Sequence, residues 1–298
     1  MALPRVDIGR YGIWYGMIDA LGSPDARAAA RLVEELGFGA LWIAEAVGRD
    51  PFASAAVLLA ATDELTVATG IANIYARDPM TMAAGQRTVA EAFPQRFLLG
   101  MGVSHGHLVA GVRKHDYSKP YSYMVEYLQR MDSAIYMAKG PDEDPGRVLA
   151  ALGPKMLELA ATEANGAHPY FTTPEHTRIA REAMGPNALL APEQMVVLST
   201  DADEARRIGR AGMKIYLGLP NYFNNLLRLG FDESDRDNGG SDRLVDAIVA
   251  WGTPDQIAER VAQHHDAGAD HVCVQVLRDD FTTAPAAEWR ALASVLMS

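Results

Sequence analysis

Residues 147–171, RVLAALGPKMLELAATEANGAHPYF, have the residue types and spacing to hold an anion. A short apolar run reaches Leu152, Gly153-Pro154 interrupts it, and Lys155 opens a run in which Met156, Leu157, Leu159 and Ala160 follow helical spacing. A strand, a tight turn and a helix place the free N–H groups of a first helical turn, and the positive end of the helix dipole, at the carboxyl end of a strand, where a phosphate binds. Pro154 suits a first helical position because its missing N–H would have had no partner there, and Gly153 lets backbone come close to a bound group. A left-handed cap at Asn165-Gly166 is expected to end the helix before a strand at 167–171. Without a ligand the same pattern is an ordinary strand–helix–strand connection. His105 is the second residue of interest, because an imidazole trades a proton near neutral pH. With His107 it also makes an H-x-H pair of metal-ligand type, but no third ligand is evident and the expectation is no metal.

The elements that must position these residues can be read from periodicity. Apolar runs at 11–16, 40–44, 65–71, 96–103, 147–152, 167–171, 194–199 and 271–277 predict eight strands. Between them lie helices at 24–36, 51–61, 80–93, 119–137, 155–164 and 174–184, one beginning at Asp201, and two around 242–251 and 254–267. Asp50-Pro51 and Asp78-Pro79 each pair a capping side chain with a first-turn proline. Strands buried on both faces read as continuous apolar runs, as these do, so the pattern predicts a single (β/α)8 barrel domain over 1–298. A doubly wound open sheet is the alternative, but its first turn would carry GxGxxG, which Gly9 to Gly16 lacks. In a barrel the chemistry lies at the carboxyl ends of the strands. Residues 218–241, with a helical start and a polar tail rich in Asp, Asn and Gly, interrupt the alternation and are read as a possible lid or loop insertion.

Composition narrows the partners. The 298 residues carry 27 Lys plus Arg against 38 Asp plus Glu, and a net charge of −11 argues against wrapping nucleic acid or lying on an anionic membrane. A small-molecule substrate is expected instead. The single cysteine, Cys273, has no partner for an internal disulfide and reads as a buried thiol in a reducing compartment. No stretch reaches the ~20 apolar residues of a membrane span and the first 16 residues lack a signal-peptide pattern, so a cytoplasmic protein is expected.

Four strand ends stand out: Glu45 after the second, GIANIYARDP at 70–79 after the third, GMGVSH at 100–105 after the fourth, and GPKM at 153–156 after the fifth. In this order they resemble the bacterial-luciferase-like superfamily, closest to its deazaflavin branch, whose members use coenzyme F420. The resemblance implies a luciferase-like TIM barrel and a homodimer, a state also favoured by the high apolar content of 51–61 and 79–93. It implies that Gly153, Pro154, Lys155 and Met156 hold the coenzyme phosphate and that Glu45 lies near the deazaflavin ring. It places a non-proline cis peptide at Gly70-Ile71, behind the ring, and makes Asn73, Val103 and Ser104 coenzyme contacts. Two departures matter. Ala46 stands where the dehydrogenase relatives have histidine, and His105 where they have glutamate. His105 is therefore expected to be the catalytic proton donor or acceptor, with Glu45 close enough to hold the imidazolium and raise its pKa. The implied activity is hydride transfer between F420 and a small organic substrate. An FMN-dependent luciferase-like monooxygenase is the alternative, and a non-catalytic coenzyme-binding protein, motivated by Ala46, is the second.

Overall fold

The computed structural model describes residues 6–298; positions 1–5, part of the amino-terminal stretch considered above, lie outside the described residues. All the strand pairs are parallel. In chain order the strands are β1 Tyr11–Trp14, β2 Ala40–Ile43, β3 Thr66–Thr69, β4 Ala72–Asn73, β5 Phe97–Gly102, β6 Arg147–Leu149, β7 Gly166–Ala167, β8 Leu189–Leu190, β9 Glu193–Val197, β10 Val249–Trp251 and β11 Val272–Val276. The helices that cover them are α1 Ser23–Glu35, α2 Pro51–Leu59, α3 Pro79–Ala92, α4 Pro120–Asp132, α5 Pro154–Glu163, α6 Pro174–Met184, α7 Ala202–Leu217, α8 Pro220–Arg228, α9 Asp242–Ile248, α10 Pro254–Asp266 and α11 Ala286–Leu296.

The sheet runs β9-β11-β1-β2-β3-β5-β6-β7-β8, and β8 and β9 are two halves of one extended segment broken at Ala191-Pro192. On one side this segment bonds to the β7 stretch, through Ala191 N–H to the Ala167 carbonyl (2.9 Å) and Glu193 N–H to the Pro169 carbonyl (2.9 Å). On the other side Asp270 N–H reaches the Leu190 carbonyl and Cys273 N–H the Pro192 carbonyl, before β9 pairs with β11. One segment thus joins both ends of the sheet, and the expected (β/α)8 barrel closes. The β10 strand adds on to β9 at the end of the sheet, and a parallel sheet covered by helices buries both strand faces. Hence β2, β3 and β9 are buried along their whole length.

The Asp50 and Asp78 caps are formed, each accepting two backbone N–H bonds in the first turns of α2 and α3. Such a cap contributes about 1 kcal/mol.

Three local expectations are corrected. Asn165-Gly166 is not a left-handed helix cap. Helix α5 ends at an extended Ala164, and Asn165 is tied between strands by its bonds with Arg147 and Leu189. Helix α4 stops at Asp132, five residues early, so Ile135 is exposed and not on a buried stripe. The segment around 242–251 is a short helix followed by β10, which pairs with β9, because Val249 and Ala250 are buried beside that strand. The helical start read in residues 218–241 is α8, and a short 3-10 segment follows, Glu233–Gly239, at whose start Asp232 and Asp235 form a reciprocal cap.

Candidate functional site

Strands in a parallel barrel all point their carboxyl ends the same way, so the loops after β2, β3, β5 and β6 gather at one mouth. The sequence-identified residues lie on those loops. Glu45 follows β2; Gly70 and Ile71 follow β3, joined by a cis peptide bond; Asn73 lies in β4; Val103, Ser104 and His105 follow β5; and Gly153, Pro154, Lys155 and Met156 form the turn into α5.

Glu45 is not a solvated loop carboxylate. Its side chain is 7% exposed and faces the Arg77 guanidinium, 9% exposed, in a two-pronged pair at 2.9 and 2.6 Å. The same carboxylate accepts the Asn73 backbone N–H at 2.7 Å, and Arg113 stands 4.0 Å away. Guanidinium and carboxylate meet in a fork, the two-bond form of such a pair, which ties the β2 loop to the loop after β3. Asn73 is fully buried. Its Oδ1 accepts from the Tyr75 N–H at 2.9 Å, a turn-type contact, while its Nδ2 has no partner among the described residues. Val103 and Ser104 are half-buried; Ser104 has a φ of 55°, and its carbonyl accepts from the Tyr117 hydroxyl at 2.8 Å.

His105 does not behave as expected. Its ring Nδ1 meets Asn221 Oδ1 at 3.2 Å, and Tyr222 lies 5.4 Å from it, both from α8. Burial lowers its pKa, the Asn221 hydrogen bond opposes this weakly, and His107 adds to the lowering. Glu45 does not raise it, because Arg77 and the Asn73 N–H occupy that carboxylate. At neutral pH the ring is therefore neutral, suited to accept a proton rather than donate one.

At the turn into α5, Gly153 is the N-cap and no side chain caps the helix. Pro154 and Lys155 are exposed, whereas Met156 is half-buried and packs against the core. Beyond the Gly153 Cα the nearest atom is an Arg228 Nη, 4.0 Å from where a Cβ would stand. Arg228 closes α8 and bonds Asn225 at 3.0 Å.

Sequence reasoning missed Arg77, Asn221, Tyr222 and Arg228. Arg77 lies within a run singled out for other residues, and the other three lie in the helical start of the 218–241 segment, which was read without assigning a role to any of its residues. Cys273 is buried as the sequence implied, but the rest of the barrel interior, where Trp14, His168, Tyr170 and Glu193 are buried, was missed. Tyr170 donates to the Tyr216 hydroxyl or Gln275 Oε1, each at 2.8 Å, and its ring packs against Trp14 and Tyr222. Burial pushes the Glu193 carboxyl up to about 8 and the His168 imidazole down to about 4.

The fold and mouth are those of a parallel TIM barrel whose loop residues gather at the carboxyl ends of the strands. The chain belongs to the luciferase-like monooxygenase family, whose model matches residues 22–271. It is 25% identical over 290 residues to 5,10-methylenetetrahydromethanopterin reductase of Archaeoglobus fulgidus, covering 81% of this chain and 86% of that one. Its fold matches the coenzyme F420 dependent tetrahydromethanopterin reductase from Methanopyrus kandleri with a TM-score of 0.76 at 16% identity, over 99% of both chains. It also matches the oxygenating constituent of 3,6-diketocamphane monooxygenase from Pseudomonas putida, a type II Baeyer-Villiger enzyme in complex with FMN, with a TM-score of 0.65 at 16% identity over 95% of both. The protein is thus an oxidoreductase of this family. Among the described residues no helix is long and apolar enough to cross a membrane.

Proposed function

We propose that the protein transfers a hydride between the deazaflavin coenzyme F420 and a small organic substrate. The observation that supports this most is the open turn at Gly153, where an uncapped helix start faces a guanidinium from α8. Backbone donors, the helix dipole and a fixed positive charge together favour a phosphate. The buried, unmatched Asn73 Nδ2 supplies a donor for a ring carbonyl. In this reading Gly153, Pro154, Lys155, Met156 and Arg228 hold the phosphate, while Glu45, Gly70, Ile71, Asn73, Val103 and Ser104 border the ring. The bound coenzyme supplies the carbon that exchanges hydride. The neutral His105 takes up the substrate's proton, and α8, the helical start of 218–241, acts as a lid that excludes water. Val57 and Met80, exposed on α2 and α3, mark the face of a homodimer, which sedimentation at micromolar concentration tests.

FMN is the second reading, since the same turn accepts either phosphate and the diketocamphane enzyme binds FMN on this fold. Titrating the protein with each compound while following tryptophan fluorescence separates them. Saturable quenching is expected with F420; quenching by FMN alone establishes the second reading, and quenching by neither removes both. Gly153→Val places its side chain where only Arg228 is near, at a φ of −87° that any residue adopts. The variant should keep its fold and lose about tenfold or more in coenzyme affinity.

A further inference from the structure

Helix α8 meets a different loop of the mouth at each of its ends. Asn221, Asn225 and Arg228 are spaced i, i+4 and i+7, so they form one stripe along it. At the amino end Asn221 meets His105 after β5, and at the carboxyl end Arg228 reaches the Gly153 turn after β6. Seven residues of helix separate the two by about 10 Å, a length of two turns.

Arg228 is exposed, and among the described residues no carboxylate pairs with it; its hydrogen bond goes to Asn225 Oδ1 at 3.0 Å. Asn225 is 2% exposed, and its Nδ2 is buried without a partner among the described residues. A guanidinium only donates, so the atom facing it must be the amide oxygen, and the orientation of the amide is fixed. A buried amide normally satisfies both of its ends, and the side-chain contact that this one keeps is to Arg228. That contact holds a side chain of high rotamer freedom in one direction, toward Gly153. The turn opposite is held as well: the His176 ring, 2% exposed, donates from Nε2 to the Leu152 carbonyl at 2.9 Å. Between them the way is open. Pro154 and Lys155 are exposed, Gly153 is half-buried, and no atom stands closer than the Arg228 Nη2, 4.0 Å from where a Gly153 Cβ would be. A guanidinium without a carboxylate and an uncapped helix start thus face one accessible gap, and a group with negative oxygens on several sides satisfies both.

We propose that Asn225 is a positioning residue: it aims Arg228 at the α5 turn, so that one bound phosphate bridges α5 to α8 and fastens α8 beside His105. The inference rests on the reading of the Gly153 turn as the coenzyme-phosphate site, and adds what that phosphate does to the rest of the mouth. Because Asn221 and Arg228 share one short helix, a phosphate held at one end steadies the partner of His105 at the other. The coupling is reciprocal, so whatever holds α8 in place also tightens phosphate binding.

The test follows amide hydrogen exchange in the full-length protein by mass spectrometry, with inorganic phosphate, F420, and the same deazaflavin without its phosphate as probes. Inorganic phosphate and F420 should slow exchange about tenfold in the first turn of α5 and along α8, its start at 222–224 included, while the dephosphorylated compound leaves α8 as it is in the free protein. Arg228→Gln, at an exposed position, should abolish the protection of α8 and weaken F420 about tenfold or more, the loss of a charge-assisted bond. Asn225→Ala should weaken F420 about two- to tenfold, the cost of ordering a freed arginine, with the affinity for the dephosphorylated compound unchanged. In the Arg228→Gln background the Asn225→Ala change should cost nothing further. A residue that only supports the helix would weaken both compounds alike and speed α8 exchange in the free protein, and that result overturns the positioning role. Protection confined to α5 or seen in neither helix, or an unchanged F420 affinity in Arg228→Gln, overturns the bridge and leaves the function standing. Wild-type protein that binds neither F420 nor FMN removes the proposed function, while inorganic phosphate still reads the bridge. Where FMN alone binds, FMN and riboflavin take the places of the two deazaflavins.

Discussion

Glu45 and Glu193 are two buried carboxyl groups of one barrel that met the cost of burial in opposite ways. Glu45 faces a forked guanidinium and a backbone N–H, so its charge is matched at three points. Glu193, 1% exposed, accepts one N–H, from Phe171 at 3.2 Å, and its other oxygen has no partner among the described residues. Without a cation it holds its proton, with a pKa pushed up to about 8 by desolvation. The difference teaches that the mouth and the interior are different solvents. The loops after β2 and β3 hold ions in fixed pairs, whereas the interior beneath Tyr170 is neutral and polar, with His168 and Glu193 both uncharged at pH 7.

The comparison breaks most visibly at Arg77. Arg77→Ala leaves Glu45 buried without its cation, and a loss of about 3–5 kcal/mol in unfolding free energy is expected from urea denaturation. A loss under about 1 kcal/mol would make the pair an exposed one, worth little.

Glu193 gives the next effect, and its sign is opposite to that of a paired carboxylate. The folded pKa is raised above the unfolded value of 4.5, so the folded state binds the extra proton between pH 4.5 and about 8. Stability from this group is present below pH 4.5 and is lost as pH rises through about 8, at roughly 1 kcal/mol per pH unit across the window. Glu193→Gln should remove that slope, making the variant more stable than the wild type at pH 8 and less favoured toward pH 5. Thermal melts of both proteins across this range check it; parallel pH profiles would mean that Glu193 ionises freely.

His105 and Asn221 give the smallest effect on stability. Asn221→Ala removes one exposed hydrogen bond, for a change of about 0.5 kcal/mol, and should lower the His105 pKa further, because that bond opposes the effect of burial. An imidazole resonance followed by NMR from pH 4 to 8 shows the shift. His105→Ala should fold normally but turn over about 10²–10⁴ times more slowly once a substrate is in hand. Unchanged turnover would leave His105 as a wall of the pocket.

Much of the barrel was legible because its determinants are local. Eight apolar runs separated by helices, the Asp-Pro caps of α2 and α3, and the Gly-Pro turn into α5 each record a physical requirement within a few neighbouring residues. Strand order in a parallel sheet then brings the loop residues to one mouth, and Gly153 could be singled out from its turn alone, whereas Glu45, Gly70 and Asn73 were singled out by the resemblance of their loops to a known family. The misreadings arose where a residue's local preference was overridden. Asn165-Gly166 has the composition of a helix cap, yet Arg147 and Leu189 draw Asn165 into the sheet. Residues 249–251 continue an apolar helical run, yet β9 offers an open row of hydrogen-bonding groups.

What the sequence by itself determined is the alternation of elements, the positions of the turns, and the residue types at each strand end. Only the tertiary structure decided which charges meet. Glu45 finds Arg77 across 32 residues, His105 finds Asn221 across 116, and Trp14 and His168 reach the same face of Gly70 from opposite halves of the chain. A residue's ionisation, and therefore its chemistry, depends on desolvation and on the nearest opposite charge. Both are set by packing between segments distant in sequence, so no local pattern records them.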